Sequence, residues 1–491
     1  MSPSESSWLS PRTVAEVELN TTLLAEVLRE YRKEHGINQA DLAQILNFDQ
    51  SYISKIETGQ RHVRDVEMLL RIAQQLDIAP NRLGISDELL RPVAPPSTSA
   101  LVGAEDPVKH SQAEWCATRR HLNRNRGALA RAAANLYRAE VRIGGVPLMA
   151  RQDWMPRAPI SLEDVELEWT DEAVGVLVSG GEPEAAAMLP LRAPGQRYTR
   201  YTSAIRYLDR PSLFENRPSY RLLDLDLTGP KGRMLFGLGT YFDKLDVSEA
   251  VAHEIARADE LNPGKTPPWS ALPLRGLIGD PFDLRRRFVM PAIETLTIRH
   301  DRATDRATFL LHWRDPAKVA TAAGIYGLIP AGEFQPSSIA SWDRKNDFNL
   351  WRSMVREYSE EILGEPERDG SSGEPLDYDN WQLYRTIQTA REQRRVSVYC
   401  LGVGLDTLTL TATILTVAVF DDDVFDELFG QAVQINAEGV LITAAEASTV
   451  SEGLPFSAET VRRLLRDEPM ASPGACILDR AWSFRDTILA R

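Results

Sequence analysis

Three carboxylates at i, i+3 and i+4, Glu357, Glu360 and Glu361, follow Arg356 in the run REYSEE. On a helix this spacing puts all three on one face, where hard oxygen ligands can hold a Mg²⁺ that keeps its remaining waters. Arg356 is spaced to pair with Glu360 and steady that face. The same face also reads as a solvated helix side laced by i, i+4 pairs with Arg352 and Arg356, which needs no metal. A second set is built of amides, hydroxyls and cations: Gln39, Gln50, Ser51, Ser54, Lys55 and Arg61. A Gln amide donates and accepts at once, which suits the edge of adenine, and the cations suit phosphate. A third set, Arg197-Tyr198 and Arg200-Tyr201 with Arg206-Tyr207 behind it, interleaves guanidinium and ring. Such a run can hold phosphate and stack a base, or it can be an exposed strand with half-buried tyrosines. No catalytic residue is assigned.

The elements that must position the second set are short helices. Asn38 can cap a helix over Gln39 to Leu46, with Asp41 completing a short capping box and Leu42, Ala43 and Leu46 on its inner face. Asn47 suits a left-handed C-cap. Asp49 then caps a second helix in which Ile53 and Ile56 point inward, while Gln50, Ser51, Ser54 and Lys55 share the opposite face, as a helix entering a major groove requires. Gly59 stops it. Thr22 to His35 precedes them with Leu24, Val27, Leu28 and Tyr31 as its inner stripe and Gly36 as its end. Leu69, Leu70, Ala73 and Leu76 complete a small all-α domain over residues 18–86.

From about Leu19 to Gly84 the segment resembles the Cro/repressor (XRE-type) helix-turn-helix family. The resemblance implies that Gln39 and Gln50 clamp phosphate and base of double-stranded DNA, that Ala43 sits where two helices cross, and that Arg32 and Glu57 form a buried pair. It implies a transcriptional regulator working as a homodimer, because one small helical domain makes too few contacts for operator affinity. Acidic side chains outnumber basic ones from Met1 to Ile85. Phosphate contacts therefore fall to Lys55, Arg61 and Arg64. A protein partner gripped by the same helices is the other reading of that acidic balance.

At 491 residues the chain is too long for one ordinary core and reads as two to four units. Hydrophobic content of 43% with 26% charged residues is that of soluble globular protein, and the net charge of −14 confines any DNA contact to a small patch. Cys116, Cys400 and Cys476 lie far apart without metal-ligand spacing, which fits a reducing cytosol and a cytoplasmic protein. The N-terminus lacks the basic start and apolar core of a signal peptide. Val396 to Phe420 is apolar, but Asp406 and the alternation of Thr407, Thr409, Thr411 and Thr413 with apolar residues predict a strand and no membrane span. Residues 87–112 read as a Pro/Ser/Ala-rich linker. Residues 113–143 read as a basic helix, seven arginines against two acids between Glu114 and Arg142, able to lie on DNA, on an acidic face of a second subunit, or on its own domain. Residues 144–284 read as an α+β region of no recognised fold.

Residues 285–491 carry the carboxylate set. Thr295 to His300 and Ala307 to Arg314 alternate around DRATD as a hairpin, Gly324 to Ile329 forms a third strand, and Pro330-Ala331-Gly332-Glu333 leads on to a helix over Phe348 to Gly364. This strand, turn and REYSEE helix look like a Nudix fold. The resemblance implies a mixed sheet and glutamates holding Mg²⁺ against a nucleoside diphosphate. Trp342 and Phe348 stand where the full motif has Gly and Glu, and Leu363 replaces a further Gly. A degenerate domain of this kind implies a sensor of a small, nucleotide-like ligand, with Mg possible. The alternative is a Mg-dependent Nudix-type pyrophosphohydrolase. The expected whole is thus a multidomain chain, an all-α helix-turn-helix domain followed by an α+β portion with a Nudix-like mixed sheet. His253-Glu254 lacks the second His of a zinc-protease helix, Arg257 taking its place, and no GxGxxG, GxxxxGK[ST] or GxSxG occurs.

Overall fold

The computed structural model describes residues 22–46, 48, 50–58, 69, 72–73, 75–76, 78–83, 106–172, 174–211, 214–314, 325–368, 373–430, 439–442 and 453–490. They fall into two units, Met1–Ala104 and Glu105–Arg491. In the first, α1 (Thr22–His35), α2 (Gln39–Leu46) and α3 (Gln50–Glu57) surround a core of Leu24, Leu28, Leu42, Leu46, Ile53 and Ile56, joined by Leu69, Ile72 and Leu76. Gly36 ends α1 at φ 63°, a left-handed turn that suits glycine, and the Ile37 N–H closes it on the Arg32 carbonyl at 3.1 Å. Asn38 Oδ1 accepts from the Ala40 and Asp41 N–H groups at 2.8 and 3.0 Å, and Asp41 returns a bond to the Asn38 N–H at 3.0 Å. Three orphan donors at the start of α2 are thereby satisfied. Asn47, Asp49, Gly59, Arg61, Arg64 and Leu70 lie outside the described residues.

The second unit opens with α4 (Pro107–Ala134), which starts inside the segment expected as linker and stops short of 143. Its start is local: Asp106 accepts from the Val108 N–H at 3.0 Å, and Pro107 occupies the first helical position, where a missing N–H costs nothing. Asn125 leaves helical geometry (φ −119°, ψ 16°) and kinks it.

Two main sheets follow. β3 (Val165–Trp169), β6 (Pro218–Asp226) and β7 (Gly232–Thr240) form one in the order β3-β7-β6, with β3 parallel to β7 and a bulge between Leu222 and Asp224. The larger is mixed and eight-stranded. It runs β1 (Leu148–Met149), β13 (Val396–Asp406), β14 (Ala412–Asp421), β8 (Ala292–Asp301), β9 (Arg306–Phe309) and β16 (Leu454–Pro455), with β2 (Ile160–Ser161) on β13 and β12 (Ala331–Glu333) on β8. β14 and β8 are parallel, Thr413 opposite Ala292 through Asp421 opposite His300. A small sheet holds β10 (Leu311–Arg314) between β11 (Tyr326–Gly327) and β15 (Gly439–Ile442), and β4 (Leu191–Ala193) pairs with β5 (Gln196–Arg197). Around the sheets lie α5 (Tyr201–Leu208), α6 (Tyr241–Leu261), α7 (Pro273–Ile278) and α8 (Leu350–Glu357).

Several expectations change here. The hairpin around DRATD is present, Asp301 opposite Arg306, but the stretch expected as its second strand breaks at Leu310: β10 leaves the large sheet. The third partner of β8 is β12, residues of the PAGE turn itself, rather than Gly324 to Ile329. Thr407, Thr409 and Thr411 lie in the turn between β13 and β14, because Asp406 Oδ1 accepts from the Leu408 N–H, the Thr409 N–H and the Thr409 hydroxyl at 2.8–3.1 Å and folds the chain back. No division falls at 284/285: β1 and β2, from the earlier half, are hydrogen-bonded to β13. Among the described residues no helix is long and apolar enough to cross a membrane.

Candidate functional site

α3 presents two faces. Ile53 and Ile56 are buried in the core, whereas Gln50 and Lys55 are exposed and Ser54 is half-buried. Ser51 belongs to the same helix. Behind it, the Arg32 guanidinium meets Glu57 in two parallel bonds, Nε to Oε1 at 2.7 Å and Nη2 to Oε2 at 2.8 Å. Gln39 Nε2 donates to the same Oε2 at 2.7 Å. Glu57, at the end of α3, thus ties together the end of α1 and the start of α2. Burial pushes its carboxyl up, but the bonds from Arg32 and Gln39 and the Arg32 charge outweigh this and hold it below the usual range. Gln39, expected as a DNA clamp, has one amide N–H committed to this internal network.

Residues 25–84 match the model of a family described as a helix-turn-helix domain. No curated protein matches the chain. The first unit carries a helix-turn-helix domain, the class of module found in DNA-binding regulators. It is followed by an α+β unit with a mixed sheet that curls.

The carboxylates of REYSEE are not gathered as a ligand set. After Glu357 the helix widens into a π turn over Tyr358–Ile362, closed by the Leu363 N–H on the Tyr358 carbonyl at 3.2 Å. A π turn takes an extra residue, so i, i+3 and i+4 no longer stack as on an α-helix. Glu357 packs on the backbone at Gly332, and Glu361 Oε2 accepts from the Ala331 N–H at 2.8 Å. Glu360 lies largely buried; burial and the nearby Glu367 push it up to about 7, against Arg356 and Arg217. Among the described residues no three His, Cys, Asp or Glu side chains are placed to hold a metal ion. The residues present therefore do not fit Mg²⁺.

Arg356 acts on Glu360 through its charge, but its hydrogen bond goes elsewhere. It is buried, its Nη2 donates to the Gln335 carbonyl at 2.6 Å, and its Nη1 lies 3.8 Å from Asp347. Asp347 is fully buried and also accepts from the Ser337 N–H and hydroxyl and the Tyr378 hydroxyl at 2.6–2.7 Å. Arg356 therefore locks the segment 335–347 in place.

Of the Arg/Tyr run, Tyr198 and Tyr201 are absorbed into the fold, whereas Arg206 and Tyr207 are exposed. Tyr201 begins α5, is wholly buried, and its hydroxyl lies 3.0 Å from His253 Nδ1; Tyr198 is also buried. The Tyr201 ring cannot stack a base, because the inner stripe of α5 takes Tyr201, Ala204 and Ile205 into the core; Tyr198, before α5, is buried with its ring 6.1 Å from that of Tyr207. Arg200 donates to the Ser179 carbonyl at 2.7 Å and Arg197 to that of Leu189. His253 stacks on Trp115, and its burial pushes it down to about 3, which leaves it neutral. Glu254 accepts the Leu274 and Arg275 N–H groups at 2.8 and 3.1 Å, capping α7.

The basic helix is partly internal. Arg119 is buried and pairs with Asp209 at 2.7 Å and Glu249 at 3.0 Å, and Arg126 reaches Glu249 at 2.9 Å. Of its arginines, Arg120, Arg124 and Arg131 are exposed.

A cleft of about 760 Å³ that no sequence motif marks lies over the three-stranded sheet, lined among others by Trp169, Arg221, Phe288, Arg344, Lys345 and Phe348. The only sequence signal was Phe348, standing where a Nudix motif has Glu.

Proposed function

We propose that this chain is a cytoplasmic, sequence-specific transcription regulator that reads double-stranded DNA through α3 as a homodimer, and whose second unit takes a small nucleotide-like ligand that changes operator affinity. The observation that carries the reading is the division of α3: Ile53 and Ile56 buried, Gln50, Ser54 and Lys55 turned outward, on a frame held by the Arg32–Glu57–Gln39 bonds. An amide and a hydroxyl on an outward face supply base-edge contacts, and Lys55 supplies phosphate contact. Nothing in the placement of Glu357, Glu360 and Glu361 favours the pyrophosphohydrolase reading.

The test is selection of duplexes from a random pool by the full chain. One enriched sequence is expected, and affinity for it should fall steeply with salt. Replacing Gln50 and Ser54 together by Ala should weaken binding of that sequence by on the order of 1–3 kcal/mol per lost base contact, with the circular dichroism spectrum unchanged. Selection that enriches nothing overturns the reading.

A further inference from the structure

We infer that the cleft over the three-stranded sheet is a binding site for a nucleoside phosphate, with the base on Trp169 and Phe348, the phosphates on Arg344 and Lys345, and the ribose hydroxyls toward Asp171 and Glu172. This rests on the reading that the second unit takes a small ligand, and places it away from the Arg197–Tyr201 run.

Its volume, about 760 Å³, is in the range of pockets that take mononucleotides and larger ligands. Trp169 and Phe348 meet edge to face, centroids 5.3 Å apart at 77°, and make an aromatic corner. The Trp169 indole N–H donates to Asp171 Oδ1 at 2.7 Å, so its ring is held before any ligand arrives. Aromatic faces of this kind accept a flat heterocycle whatever its edge.

The cations come from another segment. Arg344 lines the cleft half-buried, and its Nε has no hydrogen-bond partner among the described residues, so its guanidinium is not spent on an internal fork through that atom. Lys345 beside it is exposed. Both lie in the stretch locked by the buried Asp347, with Ser337, Tyr378 and Arg356 around it, so their backbone is fixed. Arg221, in the cleft wall, donates to the carbonyls of Val174 and Arg285 and has its guanidinium 4.5 Å over the Phe288 ring; it adds positive charge to the wall rather than a free fork. Asp171 and Glu172, exposed, come from the chain after β3. A ligand that is anionic throughout would be repelled by them. One with an anionic end and hydroxyl donors, as a nucleotide has, satisfies both groups of residues.

The experiment is calorimetric titration of the full chain with ADP, GDP, CDP and UDP, then with the parent nucleoside of whichever binds and with inorganic pyrophosphate. At least one diphosphate should bind, more tightly than its nucleoside and than pyrophosphate. Arg344→Gln and the exposed Lys345→Gln should each weaken it tenfold or more and leave nucleoside binding unchanged, whereas Trp169→Leu should weaken both. The proposal is overturned if none of the four binds, if pyrophosphate binds as tightly, or if Lys345→Gln and Arg344→Gln, each with an unchanged melting curve, bind as the parent does. DNA selection on the same preparation separates the two readings. An enriched duplex without nucleotide binding removes only this site, and nucleotide binding without any enriched duplex removes only the regulator.

Discussion

Glu57 accepts three hydrogen bonds, two from Arg32 and one from Gln39, while only 6% exposed. Replacing it by Gln leaves Arg32 as a largely unpaired cation beside the core. The helix-turn-helix domain should lose on the order of 1.5–3 kcal/mol, the range for hydrogen bonds to charged groups, read as a lower urea midpoint of its transition. The pH dependence has a definite sign. The folded carboxyl lies below its ordinary value of 4.5, so its contribution is present above that pH and is lost as pH falls through the folded value. The Glu57→Gln variant should show a flatter acid limb. Of this site, the outward face of α3 was legible from residue spacing alone, because burial of Ile53 and Ile56 follows helical period. The Arg32–Glu57 pair spans 25 positions and could be anticipated only through family resemblance. That Gln39 joins it was illegible, since an amide opening a helix serves an internal carboxylate as readily as a phosphate. The tyrosines misled for a related reason: Arg-Tyr alternation does not say whether a ring faces water, and the inner stripe of α5 decided it.

At the level of elements, the REYSEE helix shows what spacing can and cannot give. Its start was readable: Asn349 caps it, accepting from the Arg352 N–H at 3.0 Å, and Leu350, Met354 and Tyr358 are buried as helical period demands. The π turn after Glu357 was not, because it depends on how the last turn meets the sheet, Tyr358 bonding Thr297 at 2.9 Å and stacking on Phe429. One consequence is testable through Glu360. Its folded value, about 7, lies above the ordinary 4.5, so the stabilising protonated form is fully present below about pH 4.5 and is lost as pH rises through about 7. Glu360→Gln should therefore be more stable than the parent at pH 8 by on the order of 1 kcal/mol, after discounting for partial exposure, and equal to it at pH 4. Thermal melts at the two pH values read this directly; a variant less stable at pH 8 would refute the burial argument. The threonine run between β13 and β14 escaped for the same kind of reason, an Asp at the strand end turning an alternating pattern into a hairpin.

On the scale of the whole chain, the helix-turn-helix unit and the α+β character of the second unit were legible, but the strand order of the second was not, since local periodicity marks elements while strand partners hundreds of residues apart leave no local trace. The arginines of α4 illustrate it. Arg119 and Arg126 face Glu249 on α6, well over a hundred positions away. Arg119→Ala should destabilise the second unit by roughly 3 kcal/mol or more, because it strips one partner from a buried carboxylate and leaves Asp209 unpaired by it; equilibrium unfolding in urea measures the loss. Arg124→Ala, at an exposed position, should change stability by less than about 0.5 kcal/mol. The pairing of β1 and β2 with β13 carries a consequence for synthesis. A ribosome that has delivered residues up to 284 has made two edge strands whose central neighbour does not yet exist. The large sheet can close only after β13 and β14 emerge. Until then the early strands wait with open edges, so the second unit should mature late and slowly and depend on protection from aggregation, while the helix-turn-helix domain is complete and folded far ahead of it.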